Sequence, residues 1–195
     1  ARSCGGDTAG AQRDFSEAIR WRPKYPRAFG QRGLCRYAQG QYKEALEDFT
    51  AADELVDEPA LLIARALCLR HQKSPRLDEA EHDLTRALDR DPTNLAALTL
   101  RGEIRRLRGH FDGALCDWKE VIRLSPGNAA AFLNLGAVCL ETKAYAAAIS
   151  YLDRALELRP GYGPALYNRA QAYARKGDWD RAVADMTRVI EINSN

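Results

Sequence analysis

The chain has 195 residues, of which 46% are hydrophobic and 29% are charged, and its formal net charge at pH 7 is +2. A charge so close to zero gives no indication of a nucleic-acid or membrane-surface partner. No apolar run approaches the roughly 18 residues that a membrane-spanning helix needs, and the first residues do not read as a signal peptide. We therefore expect neither a nucleic acid nor a membrane as the partner of this chain.

A single spacing recurs along the whole chain. Alanine returns at intervals of 34 or 35 residues, a large apolar residue follows each alanine four positions later, and three prolines repeat at the same interval. The alanines are Ala11, Ala45, Ala80, Ala114, Ala148 and Ala182; the apolar residues are Phe15, Phe49, Leu84, Trp118, Leu152 and Met186; the prolines are Pro92, Pro126 and Pro160. Self-similarity at this period predicts a stack of one supersecondary unit.

Each unit reads as two helices joined by a short turn. In the best-formed unit, 129–162, apolar residues recur at helical spacing in two stretches, and Pro160 ends the second stretch because proline cannot continue a helix. In chain order we expect one domain over 1–195, built from a half-repeat with only a second helix (7–25) and full repeats at 26–58, 59–94, 95–128, 129–162 and 163–195. Repeat 59–94 has a lengthened turn between His71 and Arg76, which repeat arrays tolerate.

Three segments carry a family resemblance: FLNLG from Phe132 to Gly136, AISYLDRALELRP from Ala148 to Pro160, and LYNRA from Leu166 to Ala170. They resemble the tetratricopeptide repeat, and the resemblance extends from about Asp7 onward. It implies an all-α fold, a right-handed superhelical α-solenoid of antiparallel helix pairs with five full repeats and an N-terminal half-repeat. A pentatricopeptide array has a similar period, but the recurring small, aromatic, alanine and proline positions favour the tetratricopeptide one.

No catalytic constellation is visible. The sequence contains neither a phosphate-binding glycine loop nor a His-Glu-x-x-His motif, and its histidines and cysteines form no cluster with metal-ligand spacing. We therefore predict that the chain is not an enzyme and holds no cofactor and no metal. The five cysteines (Cys4, Cys35, Cys68, Cys116 and Cys139) lack a Cys-x-x-Cys pair, and we expect reduced core thiols and a cytoplasmic, reducing location, with a ciliary or organellar assembly as an open alternative.

The resemblance directs binding to the concave surface that first helices form in this family, where an extended or helical peptide is held. Asn134 and Asn168 occupy the same position in adjacent repeats, and an asparagine amide can both donate to and accept from a peptide backbone. Gln31 can continue this ladder, whereas Ala64 and Leu100 interrupt it. The predicted peptide-binding residues are Asn134, Asn168, Tyr167, Gln171, Arg175, Arg106 and Tyr37, with Arg70, Glu103 and Leu140 also lining the groove. The alternative, that these are unengaged polar groups on a solvated face, stays open.

The function expected from the resemblance is a non-catalytic scaffold or adaptor that binds a peptide or helix of another protein. Two alternatives remain: an architectural subunit embedded permanently in a large assembly, and repeats that regulate an enzyme domain lying outside this segment. No chaperone C-terminal tail is expected as a partner. The family's carboxylate clamp needs a lysine and an asparagine four residues apart on one first helix, and no repeat has that pair.

Both ends of the array are expected to be open. The first unit lacks a first helix, and a following helix would normally cover Met186, Val189 and Ile190. Because solenoids need polar caps, we expect a segment of a longer protein, or ends that a partner covers.

Two positions of the repeat carry opposite charges that are present or absent together; we call the residues at one such position, taken over all repeats, a column. Four full repeats carry an arginine at their seventh position and an aspartate in the second helix, whereas repeat 129–162 has Leu135 and Tyr151 at these positions. The arginines are Arg32, Arg65, Arg101 and Arg169, and the aspartates are Asp48, Asp83, Asp117 and Asp185. This joint variation predicts a partly buried salt bridge within each of the four repeats, so these arginines are not expected to contact a ligand.

Overall fold

The computed structural model describes residues 8–56 and 58–193, and this part of the chain forms eleven α-helices and no strand. The helices are α1 (Thr8–Trp21), α2 (Pro26–Ala38), α3 (Tyr42–Asp53), α4 (Pro59–His71), α5 (Leu77–Arg90), α6 (Leu95–Leu107), α7 (Phe111–Leu124), α8 (Ala129–Glu141), α9 (Tyr145–Leu158), α10 (Gly163–Arg175) and α11 (Trp179–Asn193). The even-numbered helices begin at the residues where the sequence places the five full repeats, and they are the first helices of those repeats. The all-α prediction is confirmed. Cys4 and Asp7 lie outside the described residues.

Two compact units make up the chain, Ala1–Ile104 (unit 1) and Arg105–Asn195 (unit 2). In unit 1, α2 packs against α1, α3 and α4, and α4 packs against α3 and α5. In unit 2, α8 packs against α7, α9 and α10, and α10 also packs against α9 and α11. Each unit therefore repeats one pattern, in which a first helix contacts the second helix of its own repeat and the second helix of the preceding repeat. One continuous array over 1–195 stays a prediction.

Small residues set the distance between the two helices of a repeat. A Cβ atom added at Gly136 on α8 would lie 2.6 Å from Cγ of Leu152 on α9, and one added at Gly33 on α2 would lie 2.8 Å from Cε1 of Phe49 on α3. Leu152 and Phe49 are themselves at most 1% exposed. The repeating glycine on the first helix therefore makes room for the large apolar side chain that recurs on the second helix.

The turn within repeat 129–162 has a lysine at the positive-φ position where three other turns have a glycine. Gly40, Gly109 and Gly177 adopt φ values of 75°, 77° and 80°, whereas Lys143, in the turn between α8 and α9, adopts φ 62°. Its N–H donates to the carbonyl of Leu140 at 3.0 Å and so caps the end of α8. A left-handed conformation costs a residue with a side chain about 1–2 kcal/mol, a cost that glycine does not have. Lys143 therefore carries strain that the three glycines avoid.

The predicted salt bridges form in three repeats. Arg32 pairs with Asp48 at 2.6 Å, Arg65 with Asp83 at 2.5 Å and Arg169 with Asp185 at 2.7 Å. The three aspartates are at most 4% exposed, so these carboxylates belong to the core and the prediction is confirmed there. The fourth pair, Arg101 and Asp117, joins residues of different units and stays a prediction.

The ion-pair network is larger than the two columns indicate. A guanidinium group has five N–H donors in a planar fork, and two of the arginines also reach back to the preceding repeat: Arg169 to Asp153 at 2.7 Å and Arg65 to Asp53 at 3.2 Å. A second arginine column, four positions after the first, donates to two of the same aspartates. Its members are Arg36, 2.8 Å from Asp48, and Arg105, 2.9 Å from Asp117. Pairing only within a repeat was therefore an incomplete prediction.

The last helix exposes part of its apolar surface. Val183 and Ile190 on α11 are 64% and 63% exposed, whereas Met186 is half-buried and Val189 packs against the apolar core of unit 2. Of the three residues expected to be uncovered, Ile190 is exposed, together with Val183, whereas Met186 and Val189 are both half-buried. No helix in the described ranges is long and apolar enough to cross a membrane.

The cysteines correct one expectation. Cys68 and Cys139 are buried free thiols, and Cys116 is an exposed free thiol. Cys35 is disulfide-bonded, so the expectation of reduced core thiols is wrong for this residue. A 34-residue spacing places a cysteine in the core, but it carries no information on the sulfur's covalent partner.

Candidate functional site

Two neighbouring first helices of unit 2 carry most of the predicted binding residues. Asn134 lies on α8 and Asn168 at the equivalent position on α10; both are half-buried. Gln171 and Arg175 follow Asn168 by three and seven residues, a spacing that places all three on one side of α10, and both are exposed. Tyr167, beside Asn168, is 46% exposed. We call the surface formed by these five residues the first-helix face of unit 2.

The side chains of the first-helix face have no partner among the residues that the structure describes. Within the described ranges, no side-chain hydrogen bond, ion pair or ring contact involves Asn134, Tyr167, Asn168, Gln171 or Arg175. Two half-buried asparagines, the amide of Gln171, the phenol of Tyr167 and the guanidinium of Arg175 are therefore available to a ligand. This separates them from the arginines of the salt-bridge columns, which face the core carboxylates.

A hollow of about 280 Å³ lies at one end of this face. It is formed where α8 and α10 end and α9 begins, and it is lined by Leu140, Glu141, Lys143, Tyr145, Gln171 and Arg175. Two of the predicted binding residues, Gln171 and Arg175, line the hollow, and Leu140 was also expected on the groove. Sequence reasoning missed Lys143 and Tyr145, because they belong to the turn and to the second helix rather than to the first helices.

Arg106 is already engaged with another side chain. Its guanidinium lies 2.5 Å from the carboxylate of Glu141 on α8, and the two side chains are 32% and 38% exposed. The pair compensates the one acidic group at the hollow. Arg106 therefore acts on the hollow by neutralising Glu141. Because its guanidinium is already paired, Arg106 is not a free cation for a ligand.

Tyr37 belongs to unit 1 and has different surroundings. Its ring meets that of Tyr42 edge to face at 5.4 Å, and its hydroxyl lies 3.3 Å from Nδ1 of His71, whose ring stacks on Tyr42 at 5.3 Å. Burial, with Tyr42 alongside, raises the pKa of Tyr37. The spacing of 34 residues between Tyr37 and His71 was the available sequence signal for this contact.

The other groove residues expected in unit 1 are paired or apolar. Arg70 lies 2.7 Å from Glu103 on the next first helix, so the two charges compensate each other. A hollow of about 500 Å³ between α2 and α4 has mostly apolar walls, including Leu34, Leu61 and Ala64. Its lining also includes the polar residues Arg27, Gln31 and Glu58, so a polar lining is found in unit 1 as well as in unit 2.

Helix pairs repeated at a fixed period, with a polar face on the first helices, define a helical repeat protein. Models of the family described as "Tetratricopeptide repeat" match residues 5–60, 69–118 and 108–163, and a further model with this description matches 140–194. The chain belongs to the tetratricopeptide repeat family, whose fold is typical of scaffolds for protein–protein interaction.

Known relatives agree with this assignment. Human Tetratricopeptide repeat protein 6 is 29% identical over 167 residues, which are 84% of this chain and 31% of that protein. A tetratricopeptide repeat protein from Parabacteroides merdae has a similar fold, with a TM-score of 0.84, 21% identity, and coverage of 95% of this chain and 73% of that one. YrrB, described as a TPR protein with an unusual peptide-binding site, gives a TM-score of 0.75 and 18% identity, with 93% of each chain covered. The chain spans about a third of the length of the first two curated relatives, 31% and 35%, and a smaller share of other relatives, such as 15% and 17%.

Proposed function

We propose that this chain is a non-catalytic binding scaffold whose unit 2 holds an extended or helical peptide of another protein on its first-helix face. The observation that carries the proposal is the pair of half-buried asparagines, Asn134 and Asn168, which stand at equivalent positions of adjacent first helices and have no partner in the described part of the chain. A peptide backbone offers the donors and acceptors that their amides lack.

The spacing of the two helices suits an extended chain. Packed helices lie about 8–10 Å apart, and an extended peptide advances about 3.3 Å per residue. Asn134 and Asn168 can therefore bind peptide groups about three residues apart on one strand. Covering half-buried amides removes water from these hydrogen bonds, and each bond contributes about 0.5–1.5 kcal/mol.

One further observation supports the proposal. The fold neighbour YrrB is described as having a peptide-binding site, so this architecture is compatible with peptide binding. We also propose a cytoplasmic location, with which the free thiols of Cys68, Cys116 and Cys139 agree and the disulfide bond of Cys35 does not. The scaffold role, the peptide and the location are all parts of the proposal.

The test uses a peptide selected on the protein itself. A random dodecapeptide phage library is selected against the chain, and the tightest synthetic peptide is titrated by calorimetry into the wild type and into the double variant Asn134→Ala/Asn168→Ala. We expect the double variant to bind more than about fivefold more weakly, which corresponds to about 1 kcal/mol. Urea unfolding checks that both proteins are equally folded.

A matched truncation controls for loss of a surface polar group. Ser150→Ala removes an exposed hydroxyl from α9, a second helix outside the first-helix face, and should leave the affinity unchanged. Equal affinity of the double variant and the wild type would show that the selected peptide does not use the asparagines, and the proposal for this face would then be wrong.

A further inference from the structure

The hollow beside the first-helix face carries an excess of positive charge. Among its charged lining residues, Glu141 is compensated by Arg106 at 2.5 Å. Lys143 and Arg175 are exposed, and neither has an ion pair or side-chain hydrogen bond within the described part of the chain. Two cationic side chains that line one hollow are therefore left without a counter-charge among the described residues.

Lys143 occupies a backbone position where lysine is unfavourable. Its φ of 62° corresponds to the positive φ of Gly40, Gly109 and Gly177 in the other turns. A cation near the end of a helix is stabilised by the helix dipole, but the next repeat obtains this without strain, because Lys176 directly precedes Gly177. The dipole alone thus does not explain a lysine at position 143. Strained backbone conformations cluster at binding and catalytic sites.

The remaining walls suit a short acidic side chain. Gln171 and Tyr145 provide an amide donor and a hydroxyl donor, and the half-buried Leu140 provides an apolar surface for methylene groups. We infer that this hollow binds a carboxylate of the partner peptide, which Lys143 and Arg175 hold together; the inference rests on the proposed function. The lysine here lies in a turn and the arginine ends α10, so the arrangement differs from the clamp on a single first helix that the sequence lacks.

The binding is tested with small carboxylate probes by NMR. N-acetylglutamate N-methylamide presents a side-chain carboxylate, N-acetylalanine presents a terminal carboxylate, and N-acetylglutamine N-methylamide is the neutral isostere. We expect the backbone amides of residues 140–145 and 171–175 to shift with a carboxylate probe, which should bind about fivefold or more tightly than the isostere. The carboxylate probe that binds more tightly indicates whether the partner's carboxylate belongs to a side chain or to a chain terminus.

Variants assign the effect to the two cations. Lys143→Met removes the charge and keeps the strained backbone, and Arg175→Gln removes the other charge; each should weaken carboxylate binding about fivefold. Lys176→Met removes a nearby exposed lysine outside the hollow and should leave binding unchanged. Lys143→Gly should weaken binding by the same factor as Lys143→Met, while it raises the urea midpoint because the strain is relieved.

Three results would overturn the inference: no shift at these amides with either carboxylate, equal affinity for the glutamine isostere, or unchanged binding in both Lys143→Met and Arg175→Gln. This failure differs from a failure of the proposed function. If the variant Asn134→Ala/Asn168→Ala still binds the selected peptide more weakly than the wild type, the proposed peptide-binding face is retained. Only the assignment of the hollow to a carboxylate is then wrong.

Discussion

Replacing Asp185 by alanine tests whether the buried ion pairs hold the repeats together. Arg169 donates through two nitrogens to the two oxygens of Asp185, both at 2.7 Å, and the side chains are 16% and 5% exposed. The hydrogen bonds to Asp185 raise the pKa of Arg169. In the variant the guanidinium stays charged, because an arginine does not lose its proton in a protein.

The expected loss follows from the partners that remain. Removing one member of a buried pair typically costs about 3–5 kcal/mol. Arg169 keeps Asp153, at 2.7 Å, as an acceptor, and Asp153 is 42% exposed. We therefore expect Asp185→Ala to lower the free energy of unfolding by about 2–3 kcal/mol, below the usual range. The double change Arg169→Leu/Asp185→Tyr copies Leu135 and Tyr151 of repeat 129–162 and should cost less than about 1 kcal/mol, because no buried charge is left alone.

Urea unfolding followed by circular dichroism measures the difference, and hydrogen exchange at the amides of α10 and α11 locates it, since repeat proteins can open locally. Asp180→Ala, which removes an exposed acid from α11, is the control and should change stability by less than about 0.5 kcal/mol. The reasoning is refuted if Asp185→Ala is as stable as the control, or if the double change is as damaging as the single one.

Two further outcomes are expected. Gly136→Ala should destabilise the chain by about 1–3 kcal/mol in urea unfolding, because the new Cβ would lie 2.6 Å from Cγ of Leu152; Gly161→Ala, with no atom within 4 Å, is its control, and equal stability of the two variants would contradict the close-packing argument. Burial raises the pKa of Cys68 to about 12, so thiol labelling at about pH 8 should modify the exposed Cys116 first and Cys68 only after denaturation; mass spectrometry of the labelled peptides checks the order, and rapid labelling of native Cys68 would be inconsistent with its burial.

Much of the fold could be predicted from spacing alone. The alanine at position 148 and the leucine at 152 recur with a period of 34 residues, and both are fully buried. Helical periodicity and nearest-neighbour packing are local properties, so the start of α8 at Ala129 and the close approach at Gly136 follow from a short stretch of sequence. The Arg169–Asp185 pair was also predictable, because repeat 129–162 lost both charges together.

The candidate site was predictable only in part. Asn168, Gln171 and Arg175 share a helix face by spacing, and the structure leaves them exposed or half-buried and unpaired within the described ranges. Tyr37 was grouped with them, but it contacts Tyr42 and His71 in unit 1. A residue's place on a helix can be read from the sequence, whereas its neighbours on other helices cannot.

The sequence by itself determined the repeat period, the helix pairs and the residues that fill the space between them, because each repeat packs mainly on its neighbours in the chain. Tertiary structure decided which partners the long charged side chains select: Arg169 divides its donors between Asp185 and Asp153, and Arg106 compensates Glu141. It also decided the positive φ of Lys143. Likewise, it decided that Lys143 and Arg175 line one hollow. Flexible side chains and turn angles respond to atoms brought together from separate helices, so a linear pattern does not specify them.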